Sequence, residues 1–320
     1  MQSFQITEKD AGRLDSFLLG QLPALHMGLL HRFLRENKIK VNGRKVPLGT
    51  RLCAGDEVRV YLPPALDDAQ ATAADAPVFL RARRELSIAY EDDAVLIADK
   101  PAGIPVSDEK DGTPDTLLNR VLRNLYERGV WQPQSAFTPC LCHRLDTGTS
   151  GLVVLAKTPQ AAEQCTALIR DRALDKRYVC VTAGIPRPAA ATLEGYLQKD
   201  AAQGRVRVLS HAAPGAKEIV TRYRTLCTSG ALALLEVQLV TGRTHQIRAH
   251  LASIGCPVLG DGKYGVNTVN RRYKTKYQLL CAYRLTFPVL REGPCAGLSG
   301  RCITAAEPWF YSQMLNGTLR

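Results

Sequence analysis

Six residues in succession without a polar side chain, Gly151-Leu152-Val153-Val154-Leu155-Ala156, follow directly on the stretch His143-Arg144-Leu145-Asp146-Thr147-Gly148-Thr149-Ser150. An unbroken apolar run of strand length has no face to offer water, so it belongs inside a sheet covered on both sides. The polar, glycine-punctuated stretch then becomes a loop at the end of a rigid buried strand, where a scaffold can present a reactive side chain. Asp146 is the only carboxylate in that loop, and Thr147, Thr149, Ser150 and the backbone around the two glycines supply donors to fix it.

A chain of 320 residues suggests two domains of unequal size. With 45% hydrophobic and 22% charged residues it is a folded protein, not a disordered one. Lys and Arg number 42 against 30 Asp and Glu, a formal charge of +12, and that field favours a polyanion such as nucleic acid. The ten cysteines form no Cys-x-x-Cys pair, the closest being Cys140 and Cys142, so a zinc framework is not expected. With a polar start and no run of membrane-spanning length, the expectation is a soluble, cytoplasmic chain with reduced thiols.

In the first sixty residues, Leu14, Phe17 and Leu18, then Leu29, Leu30, Phe33 and Leu34, recur at helical spacing and predict two short helices. Ile39-Lys40-Val41 reads as a strand, Asn42-Gly43 as a tight turn, and Val58, Val60 and Leu62 as a closing strand. Between Pro63 and Pro77 the composition is that of a linker. The expected division is 1–63 for the first domain, 64–85 for the linker and 86–320 for the second domain. In the latter, short strands at Ile88–Tyr90 and Val95–Ala98 flank a Glu91-Asp92-Asp93 turn. Thr113-Pro114 and Thr158-Pro159 each open a helix by cap and first-turn proline, the first of them stopping at Gly129. Leu234 to Val240 is a strand, and Thr244 to Ile254 a helix closed by Gly255. The fold class is α+β with a mixed, mainly antiparallel sheet.

A second polar cluster is Thr241-Gly242-Arg243-Thr244-His245-Gln246-Ile247-Arg248-Ala249-His250. Ile247, Leu251 and Ile254 fall at i, i+4 and i+7 and are expected to share a buried helix face, with Arg243 and His245 at the N-terminal end, a natural seat for phosphate. Arg248, close to the apolar face, needs an anionic partner, and Asp146 is the obvious one.

These two clusters closely resemble the signature motifs of the RluA-like pseudouridine synthases. Lys100-Pro101-Ala102-Gly103 matches that family's first motif, and Lys176-Arg177-Tyr178 a lesser one between the signatures. The match runs in order over residues 12 to 310. Residues 12–62, on Arg13-Leu14-Asp15, Arg32 to Arg35 and Val41-Asn42-Gly43, resemble the small RNA-binding domain first known from ribosomal small-subunit protein four. Here the chain departs by carrying His26-Met27-Gly28 where a Ser-Arg pair usually opens the second helix. Val106-Ser107 and Cys281-Ala282-Tyr283 likewise stand where family members often show histidines.

The resemblance implies that uridine in RNA, large-subunit ribosomal RNA or else transfer RNA, is detached at its glycosidic nitrogen and rejoined through ring carbon five. Asp146 would be the essential carboxylate, acting on the anomeric carbon or the base, or assisting glycal formation. Arg248 would hold it charged and oriented. Tyr178 would pack against the uracil and assist removal of the carbon-five proton. Arg144 would fill the gap left by the everted nucleotide. Arg243 and His245 would meet phosphates, with His143, Lys176, Arg32 and Arg35 completing the RNA contacts. No redox change occurs, so no cofactor, metal or obligate protein partner is implied.

Rival readings are weaker. Asp146-Thr147-Gly148-Thr149 lacks the second acid of an aspartyl phosphatase. Cys140 and His143 lack the glutamate and cysteine spacing of a zinc nucleobase deaminase. A non-catalytic RNA-binding protein would keep Asp146 without using it, and only an activity test separates that case.

Overall fold

The computed structural model describes residues 2–8, 10–22, 25, 27–61, 77–108, 113–200 and 204–319. His26, Leu62 and most of the proline-bounded linker lie outside them. The chain divides into two compact units, Met1–Arg83 with Asp108–Asp115, and Arg84–Ser107 with Thr116–Arg320.

In the first unit, strands β1 (Gln2–Gln5), β2 (Gly12–Arg13), β3 (Ile39–Val41), β4 (Arg44–Lys45), β5 (Arg51–Leu52) and β6 (Glu57–Val60) accompany helices Leu14–Gln21 and Met27–Arg35. The sheet order is β1-β6-β3-β4, with β2 and β5 paired apart from it. Asn42 and Gly43, both at positive φ (50° and 75°), make the turn between β3 and β4, as an Asn-Gly hairpin requires. Leu14, Leu18, Leu30, Phe33, Leu34, Ile39, Val58 and Val60 form the core, one face from each helix and one from the sheet. Arg35 stays exposed in the last helical turn, and Arg32 is ion-paired with Glu36 at 2.7 Å.

The second unit is built on one sheet, eleven-stranded among the described residues. Its strands are β7 (Ser87–Glu91), β8 (Val95–Lys100), β9 (Cys140–Leu141), β10 (Ser150–Ala156), β11 (Asp175–Ala183), β12 (Ala190–Asp200), β13 (Arg205–Leu209), β14 (Lys217–Ser229), β15 (Leu232–Leu239), β16 (Leu280–Thr286) and β17 (Cys302–Thr304). The order is β13-β12-β14-β15-β11-β16-β10-β8-β7, with β9 on β10 and β17 on β16. Every pairing is antiparallel except β10 with β16, which run parallel over Ser150–Cys281 and Gly151–Ala282. The expected α+β class and mixed, mainly antiparallel sheet are therefore observed. β10 is buried from Gly151 to Ala156, as its composition demands.

Three local expectations need correction. The helix assigned to Thr113-Pro114 begins at Leu117 instead. Thr116 is its cap, accepting the Asn119 amide on its hydroxyl at 3.1 Å, and Pro105 and Val106 carbonyls take the free amides of Leu117 and Leu118. The helix assigned to 244–254 is shorter, Gln246–Ser253, because Gln246 Oε1 accepts from the Thr241 hydroxyl and the Arg243 amide and so folds 241–245 into a turn. Ile254 consequently caps the helix and is 38% exposed, outside the apolar face that Ile247 and Leu251 share.

Candidate active site

The loop between β9 and β10 is tied down by hydrogen bonds along its length. His143 Nε2 accepts the Val154 amide at 3.1 Å, and the Thr149 amide closes a turn onto the Asp146 carbonyl at 3.0 Å. The Gly103 amide donates to the Thr147 carbonyl at 2.7 Å, and Gln278 Nε2 to Thr149 Oγ1 at 3.1 Å. Below the loop, Lys100 has no exposure, and its ammonium donates to the carbonyls of Pro101, Ile104 and Thr147 at 2.9, 2.9 and 3.2 Å. Burial pulls its pKa down to about 7, while the charge of Asp146 opposes that shift. Three carbonyl acceptors match the three N–H bonds that only the ammonium possesses.

Asp146 is thereby presented with its side chain 23% exposed, and Arg248 reaches it from the helix Gln246–Ser253, Nη1 to Oδ2 at 2.7 Å. The anionic partner expected for Arg248 is present, and a second one was not foreseen. Asp261, fully buried, takes Nε at 2.6 Å and Nη2 at 2.9 Å, the two-pronged geometry that suits a guanidinium. Burial disfavours the Arg248 charge, but the two carboxylates outweigh it and raise its pKa. Burial likewise pushes Asp261 up, and Arg248 with the Lys263 and Tyr264 amides more than offsets it, leaving the carboxyl below its usual range. The Tyr264 ring centroid lies 5.3 Å from the guanidinium carbon, and its hydroxyl 2.9 Å from His245 Nδ1.

His245 has a left-handed backbone, φ 56°, just before the helix, and its Nε2 stands 3.9 Å from Asp146 Oδ2. Burial draws its pKa below the ordinary value against the pull of Asp146. Tyr178, on β11, is 7% exposed; burial and then the Asp146 charge raise its pKa, so the phenol keeps its proton at neutral pH. Lys176, two residues earlier, has its pKa lowered by burial, and His143 is drawn down to about 4 by burial and then by Lys176.

Asp146, Arg248, Tyr178, His143, Arg144, Lys176, Arg243 and His245 all line one cavity of about 260 Å³. At about 30 Å³ per water that is space for roughly nine waters, enough to admit a nucleobase. Arg144 and Arg243 are exposed at this cavity, whereas His143 has committed Nε2 to the strand. Arg32 and Arg35 lie in the other unit. Asp261, Tyr264 and Lys100 went unassigned in the sequence reading. The glycines flanking Asp261 in Gly260-Asp261-Gly262-Lys263-Tyr264 were the available signal, being the same acid-in-a-turn pattern as Asp146-Thr147-Gly148. Among the described residues no group of three or more His, Cys, Asp or Glu is placed to hold a metal ion, and no helix is long and apolar enough to cross a membrane.

A family model described as RNA pseudouridylate synthase matches residues 94–253, half of the chain and the part holding most of this cavity. An uncharacterized RNA pseudouridine synthase of Mycoplasma pneumoniae is 31% identical over 307 residues, covering 94% of this chain and 93% of its own. The ribosomal large subunit pseudouridine synthase C of Vibrio cholerae is 34% identical, covering 83% and 81%. Synthase D of Neisseria meningitidis is 31% identical, covering 88% and 73%. Among solved structures, human RNA pseudouridylate synthase domain containing 4 superposes with a TM-score of 0.57 at 26% identity, over 72% of this chain and 92% of that one. This chain therefore belongs to the RNA pseudouridylate synthases of the RluA type and is an isomerase of uridine in RNA.

Proposed function

We propose that the chain converts uridines of large-subunit ribosomal RNA to pseudouridine with Asp146 as the catalytic carboxylate. The observation that carries this reading is the partly exposed Asp146 carboxylate, ion-paired to a nearly buried Arg248 at a cavity large enough to admit a nucleobase. The names of the Vibrio and Neisseria relatives support the ribosomal substrate. The net change breaks the bond from the anomeric carbon to N1 and forms one to ring carbon five, while carbon five loses a proton and N1 gains one. No electrons are exchanged, so a carboxylate able to bond to, or stabilise, an electron-poor sugar carbon is sufficient chemistry.

Arg248 holds Asp146 in place, and Tyr178 packs against the uracil as a protonated phenol. Reaching the anomeric carbon requires the nucleotide to leave its stack, and exposed Arg144 is the side chain to occupy the vacated space. Arg243, His245 and Lys176 face the RNA backbone, with His143 supporting the rim. The first domain, residues 1–63, serves as an RNA-binding module through the helix carrying Arg32 and Arg35, joined by the 64–85 segment to the catalytic domain 86–320. Such a protein works in the cytoplasm, without cofactor, metal or obligate protein partner. The test is to map pseudouridines in total RNA from cells with and without the protein. Loss of specific large-subunit sites is expected; loss confined to transfer RNA would move the substrate, and an unchanged map would leave a non-catalytic RNA binder.

A further inference from the structure

Behind the two side chains that meet at the reaction centre stands a loop that touches neither the cavity nor solvent at its acid. Gly260 (φ 82°) opens it, and its amide donates to Asn270 Oδ1 at 2.8 Å, while Asn270 Nδ2 returns a bond to the Asp261 carbonyl at 3.0 Å. The Asp261 carboxylate is held by the Lys263 and Tyr264 amides at 2.8 and 3.0 Å before Arg248 is counted. Two of the guanidinium's N–H directions are therefore fixed by the two oxygens of one rigid carboxylate, and rotation of Arg248 away from Asp146 would break both bonds to Asp261.

The same loop orients His245. The Tyr264 hydroxyl oxygen accepts the Val206 amide at 2.9 Å, and among the described residues the one acceptor within reach of its proton is His245 Nδ1, at 2.9 Å. When the hydroxyl gives its single proton to Nδ1, the neutral ring carries its own proton on Nε2, the nitrogen 3.9 Å from Asp146.

We propose that Asp261 and Tyr264 are positioning residues of the isomerisation: Asp261 aligns Arg248, and the Tyr264 hydroxyl selects the His245 tautomer whose Nε2–H faces Asp146. The proposal rests on Asp146 being the catalytic carboxylate. One short loop thus sets both N–H groups directed at that acid, and neither residue touches the substrate.

The test uses the full chain and the near-isosteric variants Asp261→Asn and Tyr264→Phe. Tritium release is measured from transcribed large-subunit ribosomal RNA and transfer RNA carrying uridine tritiated at carbon five. Asp261→Asn is expected to lower kcat about a hundredfold and Tyr264→Phe about tenfold, with KM within about twofold, as loss of alignment rather than binding predicts. Nitrogen-15 shifts of His245 should show Nε2 protonated in the wild type and a mixture of tautomers in Tyr264→Phe. Either variant at wild-type kcat, a loss residing only in KM, or a wild-type His245 protonated on Nδ1 would overturn the proposal. If Asp261→Asn does not fold, Tyr264→Phe, which removes one oxygen, carries the kinetic comparison. Absence of tritium release by the wild type sinks the catalytic reading, while the nitrogen shifts still decide the tautomer.

Discussion

Lys100 grips the loop of Asp146 by its backbone, donating from a side chain with no solvent exposure to the Thr147 carbonyl one residue beyond Asp146. The same ammonium satisfies the carbonyls of Pro101 and Ile104, so a single charge ties the end of β8 to the loop before β10. Lys100→Met keeps the length of the side chain and removes all three donors. Leaving buried carbonyls unpaired should cost about 2–3 kcal/mol, read as a lower denaturant midpoint at unchanged slope. Pseudouridine formation should fall as well, because the loop of Asp146 loses one of its backbone anchors.

Asp146→Asn preserves shape, and its amide oxygen can still accept from Arg248. Under the proposed mechanism it should lower turnover by at least about a thousandfold while leaving the melting temperature and RNA affinity nearly unchanged. Purified variant that forms product at a near-normal rate would refute the role given to this carboxylate.

Gly151 has φ 105°, and a Cβ placed there would collide with the backbone of Ala282 on the paired strand. The obstacle is main chain held in a parallel pairing, so it cannot swing aside as a side chain would. Gly151→Ala should destabilise the chain by about 3 kcal/mol or more, from left-handed strain and overpacking together, measurable by urea titration.

His143 and His250 are both drawn down to about 4 by burial. An unfolded chain protonates its histidines near pH 6.5, whereas the folded chain resists until about pH 4, so stability is complete above 6.5 and declines as pH falls through that window. Near pH 5 unfolding should take up about two protons from this pair, a loss of up to about 2.5 kcal/mol per pH unit. Denaturant midpoints at pH 7, 6 and 5 check this; a flat profile across the range would contradict it.

Much of this was legible because periodic and local signals sufficed. The β10 run, the Asn42-Gly43 turn and the Thr158 cap each depend on neighbours in the chain, and each forms where the residues indicate. Thr113 and Thr116 offer equal local cap chemistry, and the choice fell to Pro105 and Val106, which receive the helix's first amides. Asp146 and seven other expected side chains meet in one cavity since three sequence motifs already carry them. Asp261 and Lys100 escaped because their roles exist only through folded contacts, a carboxylate meeting a guanidinium 13 positions away and an ammonium meeting a carbonyl 47 away. Neither composition nor periodicity distinguishes a buried, fully paired charge from an exposed one.

The parallel seam between β10 and β16 joins segments some 130 positions apart. A ribosome making this protein releases the Asp146 loop long before the strand that shapes it exists, and contacts of such separation form late. Nascent chains and fragments ending ahead of residue 280 should accordingly be inert, so that activity switches on only once β16 has been made.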